Sequence, residues 1–148
     1  MWKCTTCSHY SDIIGREGLI YAIDIAEIPL RDMIRVAEAR KNIIPILGDC
    51  RKPEEYEDII LDKVDFVYED IADPDQIKIL IWNCEKFLKS KGFAAIAIKS
   101  QSIDVTKKPK EVYRICLEEL GKKFEILDKV ELDPFEKYHL FVVMRSKL

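Results

Sequence analysis

Four short apolar runs, each closed by a charged residue, constrain this chain more than any other feature. They are Leu19–Asp24, Ile43–Leu47 with Gly48-Asp49 after it, Val64–Tyr68 with Glu69-Asp70 after it, and Phe93–Ile98 with Lys99 after it. Runs of this length fit strands buried on both faces and are too short for helices. Between them apolar residues recur at helical spacing, as at Leu30, Met33, Ile34 and Ala37, and again at Ile77, Leu80, Ile81, Cys84 and Leu88. Strands alternating with helices predict an α/β fold built on a mostly parallel, doubly wound sheet.

The remaining elements follow from local signals. Thr6 or Ser8 is expected to cap a short helix reaching about Ile14, with Gly15 and Gly18 ending it. Pro45 within the second run predicts irregular pairing there. Pro53 and Glu54 are expected to start a short helix to about Leu61, and Gly92 to end the unit that follows the third strand. Beyond Lys99 come a polar stretch, a helix from about Lys110 to Gly121, and strands over Phe124–Leu132 and Tyr138–Arg145. The short Asp133-Pro134 connection makes that last pair an antiparallel hairpin. With no repeat, low-complexity tract or linker, residues 1–148 read as a single domain.

Composition narrows the function classes. The chain has 148 residues, 48% of them hydrophobic, enough for a real core. Its 24 basic and 27 acidic residues give a formal charge of −3, without the basic excess of a protein that grips nucleic acid unaided. No apolar run of about 18 residues and no charged-then-apolar leader is seen, so the expectation is a cytoplasmic protein without a membrane span. Five cysteines, an odd number, read as reduced thiols. Cys4 and Cys7 form a C-x-x-C, but with no second pair nearby packing is preferred over metal binding, and no metal is expected.

In open α/β sheets, ligands sit at the carboxyl ends of the strands. That edge would gather Asp24, Asp49, Glu69, Asp70 and Lys99. One such residue is more often a helix cap; together they favour a ligand crevice. Asp24 suits the vicinal hydroxyls of a ribose and Asp49 the amino group of an adenine. No G-x-G-x-x-G precedes a helix, so a nucleoside without a pyrophosphate fits better, such as S-adenosylmethionine.

The run C-T-T-C-S-H-Y-S-D-I-I-G resembles a segment of the archaeal fibrillarin-like rRNA/tRNA 2′-O-methyltransferases. The likeness continues through N-I-I-P-I-L-G-D-C-R-K-P-E-E-Y, V-Y-E-D-I-A-D-P-D-Q-I-K-I-L, I-A-I-K-S-Q-S-I-D-V-T and L-D-P-F-E-K-Y-H. It implies a Rossmann-like methyltransferase fold that uses S-adenosylmethionine to methylate ribose 2′-hydroxyls of pre-rRNA and tRNA. The implied partners are a guide RNA with its target in a box C/D particle, a Nop-type scaffold protein and a kink-turn-binding protein. Carried over residue by residue, it assigns Thr5 and Thr6 to the cofactor's methionine, Asp24 with Ile25 to its ribose, and Asp49 with Cys50 to its adenine. The turn Asp70, Ile71, Ala72 and Asp73 would border the methionine and the methyl group. Of the family's Lys-Asp-Lys-His catalytic set, Asp70, Lys99 and His139 are present.

The chain also departs from the family. Cys4 stands where the family has a glycine, and Asp73 where it has a glutamine. The family's N-terminal β-rich region, first central strand and first catalytic lysine have no counterpart, and Lys3 does not align with that lysine. The expectation is therefore a sheet lacking its first strand, from a shortened start or a shortened relative. The competing reading is a non-catalytic scaffold-binding module that has lost the cofactor. A phosphoacceptor receiver domain fits poorly, because Lys99 follows Asp70 too closely and no acid pair ends a first strand.

Overall fold

The computed structural model describes residues 5–147, which fall in two compact units, Met1–Leu61 and Asp62–Leu148. In the first, helix α1 (Thr5–Ile14) leads to strand β1 (Ile20–Asp24), helix α2 (Glu27–Arg40) and strand β2 (Ile43–Leu47). Thr6 and Ser8 lie inside α1 and cap nothing, because the helix has already begun at Thr5. Gly15 closes α1 at φ +72°, the left-handed conformation that glycine adopts without a Cβ clash.

β1 and β2 pair in parallel with an unbroken register, Ala22 opposite Pro45, contrary to the irregularity expected there. The reason lies in the alternation of the ladder. Ile20 N–H donates to Asn42 O and Gly48 N–H donates to Asp24 O, so the even-numbered residues of β2 bond to β1. The missing N–H of Pro45 falls on the other edge, which carries no strand among the described residues. Ala22, Met33 and Ile43 form the small core of this unit. Asn42 ties α1 down: its Oδ1 accepts from Ser11 Oγ at 2.6 Å, and its Nδ2 donates to Ser11 O and Gly15 O. The helix expected from Pro53 to Leu61 is only a 3₁₀ turn, Pro53–Glu55. Tyr56 then buries its ring, and Ile59 and Ile60 N–H both donate to its carbonyl, which turns the chain instead of extending a helix.

The second unit carries a mixed sheet in the order β3-β4-β6-β5. Strand β3 (Val64–Glu69) pairs in parallel with β4 (Leu88–Lys99), which β6 (His139–Ser146) flanks antiparallel; β5 (Phe124–Glu131) closes the expected hairpin with β6. Helices α3 (Gln76–Phe87), the short α4 (Ser100–Ile103) and α5 (Pro109–Leu120) connect them. Leu88 belongs to β4, not to α3, and Gly92 sits within the strand. Lys63 Nζ takes the Glu85 and Lys86 carbonyls, and Leu88 N–H closes on Cys84 O, so α3 ends one residue before Leu88. Leu88 pairs with Val64 and Phe93 with Phe66, which leaves the residues between as a bulge. A Cβ on Gly92 would come within 2.9 Å of the Lys89 carbonyl, so the bulge needs glycine. Ile77, Leu80 and Cys84 from α3 pack with Ala94, Ile96 and Ile98 of β4, Val112 and Leu120 of α5, and Val142 and Met144 of β6.

Candidate active site

In the first unit the parallel pairing brings Asp24 and Asp49 to the carboxyl ends of adjacent strands. Asp24 Oδ1 accepts the Ala26 N–H at 2.8 Å, which turns the chain into α2. Asp49 Oδ1 accepts both the backbone N–H of Arg51 at 3.0 Å and its Nε at 3.1 Å. That backbone bond, with the guanidinium beside it, holds the Asp49 carboxyl below the usual range against the opposing effect of burial. Ile25 is exposed, while Cys50 and Thr6 are half-buried. Lys3, Cys4 and the Thr5 side chain lie outside the described residues, as does the first half of the C-x-x-C.

In the second unit, Glu69 and Asp70 take opposite environments. Asp70 turns outward and pairs with Lys99, Nζ to Oδ1 at 2.8 Å. Glu69 is buried, with Oε1 unpartnered among the described residues. Burial, with the Asp73 charge adding to it, pushes its carboxyl up to about 9, so Glu69 is a neutral acid at pH 7. The turn after Asp70 is held by Asp73, whose Oδ1 accepts the Asp75 N–H at 2.8 Å; Ile71 is half-buried and Ala72 exposed.

His139 stands directly across the ladder from Lys99. Its Nδ1 lies 2.8 Å from Lys137 O, and because a carbonyl only accepts, Nδ1 carries the hydrogen and Nε2 is the acceptor in the neutral ring. Tyr138, just before it, has φ +66°, and its carbonyl accepts both the N–H and the Oγ–H of Ser100 at 3.1 Å. Asp70, Lys99 and His139 are therefore brought to one end of the sheet. The chemistry available is a carboxylate to accept a proton, an ammonium to stabilise developing negative charge, and an imidazole beside them.

Two further residues hold this arrangement and were missed in the sequence, namely Ser100 and Gln76. Gln76 gave a signal: it is a polar residue opening a helix face that continues with Ile77 and Leu80. Lys107, by contrast, pairs with Asp104 on its own loop, as a solvated segment would. Among the described residues no cluster of His, Cys, Asp and Glu could hold a metal ion, and no helix is long and apolar enough to cross a membrane.

The fibrillarin family model matches residues 2–148. The chain belongs to the fibrillarin family. It is 50% identical over 142 residues to the fibrillarin-like rRNA/tRNA 2′-O-methyltransferase of Thermococcus sibiricus, covering 96% of this chain and 62% of that protein. Among solved structures, fibrillarin in a fibrillarin/Nop5p complex superposes with a TM-score of 0.92 at 41% identity, covering 96% of this chain and 67% of that one. Aeropyrum pernix fibrillarin, in complex with natively bound S-adenosyl-L-methionine, gives 0.84 at 44% identity, over 95% and 61% of the two chains. The chain thus spans about 62% of the length of the curated relatives it matches. The methyltransferase fold expected from the resemblance is the fold observed.

Proposed function

We propose that this chain carries the catalytic residues of an S-adenosylmethionine-dependent RNA 2′-O-methyltransferase acting on guide-selected nucleotides of pre-rRNA and tRNA. The Asp70–Lys99 ion pair beside His139, in a chain of the fibrillarin family, is the observation that supports this most.

The donor set suits the cofactor. Asp24 commits one oxygen to Ala26, and its other has no partner among the described residues, as a ribose hydroxyl donor requires. Asp24 with Ile25, and Asp49 with Cys50, are the candidates for the nucleoside; Thr5, Thr6 and the turn Asp70–Asp73 are those for the methionine. When bound, S-adenosylmethionine would supply an electrophilic methyl group, its sulfonium keeping the C–S bonding pair and leaving as a neutral thioether. Asp70 accepts a hydrogen bond from the attacking 2′-hydroxyl and takes its proton at the carboxylate as the oxygen is methylated. Lys99, held 2.8 Å from Asp70, stabilises the negative charge that develops on that oxygen. His139 Nε2 offers an acceptor for a polar group of the acceptor nucleotide.

The balanced charge of the chain fits a subunit positioned on RNA by others. The partners in this reading are a Nop-type scaffold, a kink-turn-binding protein and the guide RNA, in a box C/D particle. Calorimetric titration of S-adenosylmethionine into the chain, with Asp49→Ala as control, tests the cofactor assignment. Saturable binding weakened by the substitution is expected; no binding by a folded chain contradicts it and favours the scaffold-binding module.

A further inference from the structure

Gln76 opens α3 with its side chain fully buried, an unusual place for a primary amide. Its Nε2 donates to Asp73 O at 2.9 Å, and its Oε1 accepts the Lys99 N–H at 3.0 Å. One side chain thus joins the turn that carries Asp70 to the end of the strand that carries Lys99.

The ladder explains why Lys99 needs this bond. Ser100 N–H donates to Tyr138 O, so alternate residues of β4 bond to β6, and Lys99 N–H points away from it. On that other side β3 ends at Glu69, opposite Ile96, three residues too early to receive the Lys99 N–H. Gln76 Oε1 replaces the absent strand partner. The two contacts also fix the residue type. Lys99 N–H can only donate and Asp73 C=O can only accept, so the clamp must offer one acceptor and one donor at this length. A leucine offers neither, and an ionised glutamate lacks the donor.

We infer that Gln76 is a positioning residue for methyl transfer: by bridging Asp73 and Lys99 it sets the geometry of the Asp70–Lys99 pair. This rests on the methyltransferase reading above. Asp70 and Lys99 leave different elements, β3 and β4, and both elements have reached their ends when the pair forms. Without the amide, the Lys99 backbone and the 70–75 turn lose a shared restraint, and a misplacement of about 1 Å at a reacting group can cost about a hundredfold in rate.

The test uses Gln76→Leu and Gln76→Glu, the second keeping shape and length. Two quantities are read on the full chain: amide hydrogen exchange at Lys99, and the single-turnover rate of methyl transfer with saturating RNA and S-adenosylmethionine in a reconstituted guide particle. The expected result is faster exchange at Lys99, by about tenfold or more, with Ile96 and Ile98 still protected. The transfer rate should fall about 10- to 100-fold with RNA and cofactor affinities unchanged, and less in Gln76→Glu than in Gln76→Leu. A Lys99 amide that exchanges as in the wild type overturns the proposal. So does a wild-type transfer rate despite faster exchange. Failure of the methyltransferase reading is separable, because it shows as absent transfer by the wild-type particle; it removes the positioning role, while exchange still reports whether the clamp exists.

Discussion

Both units end parallel strands on acids, but they support those acids on very different foundations. In Met1–Leu61, Asp24 and Asp49 stand on two strands whose core is Ala22, Met33 and Ile43, with Ile13, Ile25 and Ile28 largely exposed. In Asp62–Leu148, Asp70 and Lys99 stand on a sheet whose buried cluster counts fifteen of the described residues. The acids of the first unit are held by local turns, Asp24 to Ala26 and Asp49 to Arg51, each two residues on. In the second, Asp70 pairs with Lys99, whose strand end is itself held at long range, by Gln76 to Lys99 and Ser100 to Tyr138. The groups assigned to proton handling thus stand on the densely packed unit, and the groups assigned to nucleoside binding on the lightly packed one. Chemistry that depends on ångström-scale placement demands the former; a binding contact tolerates the latter.

Core truncation should expose this difference most strongly. Leu80→Ala removes a side chain with no exposed surface from the larger cluster and is expected to cost about 3–5 kcal/mol. Met33→Ala, in the smaller core, should cost about 2 kcal/mol, since its surroundings are open enough to relax. Denaturant unfolding of the two variants checks the contrast, and equal losses would break it.

The next effect concerns Glu69, a carboxyl raised from the ordinary range to about 9. The native chain keeps this proton where the unfolded chain has released it, so folding stability falls as pH rises from about 5 to 9 and levels above that window. Glu69→Gln should remove that slope and raise the melting temperature at pH 8. A variant whose melting curve tracks the wild type across the window would show that Glu69 is not a buried neutral acid.

The smallest effect expected is at Tyr138, whose φ of +66° is disfavoured for any residue but glycine. Tyr138→Gly should stabilise the second unit by about 0.5–1 kcal/mol, seen as a modest rise in melting temperature. A loss of stability would show that the exposed ring contributes more packing than the backbone conformation costs.

The alternation of apolar runs and helical periodicity made most elements legible in the sequence; burial on both faces holds for β4, where residues 94–98 are all buried, but not for β1, where only Ala22 is. Asp70 and Lys99 were legible as strand ends and as a pair. What escaped depended on partners far along the chain. Pro45 looked disruptive because its strand edge was unknown, and the ladder turns its missing N–H outward. Leu88 fitted the α3 face by spacing, yet Lys63, more than twenty residues earlier, takes the final helix carbonyls and ends α3 before it. Glu69 and Asp70 were both legible as acids at the strand end; that these consecutive residues face opposite environments, one buried and one exposed, was not. Gln76 carried no reading from the sequence, since its two partners lie on different elements.

The roles proposed for Asp70 and Lys99 in methyl transfer stand or fall on one rate. It is the single-turnover rate in a reconstituted guide particle, compared between the wild-type chain and Lys99→Ala at saturating S-adenosylmethionine. The expected result is transfer to the guide-selected 2′-hydroxyl by the wild type, and a loss of about 10²- to 10⁴-fold in the variant with cofactor binding retained. A variant that transfers methyl at the wild-type rate would contradict the assignment.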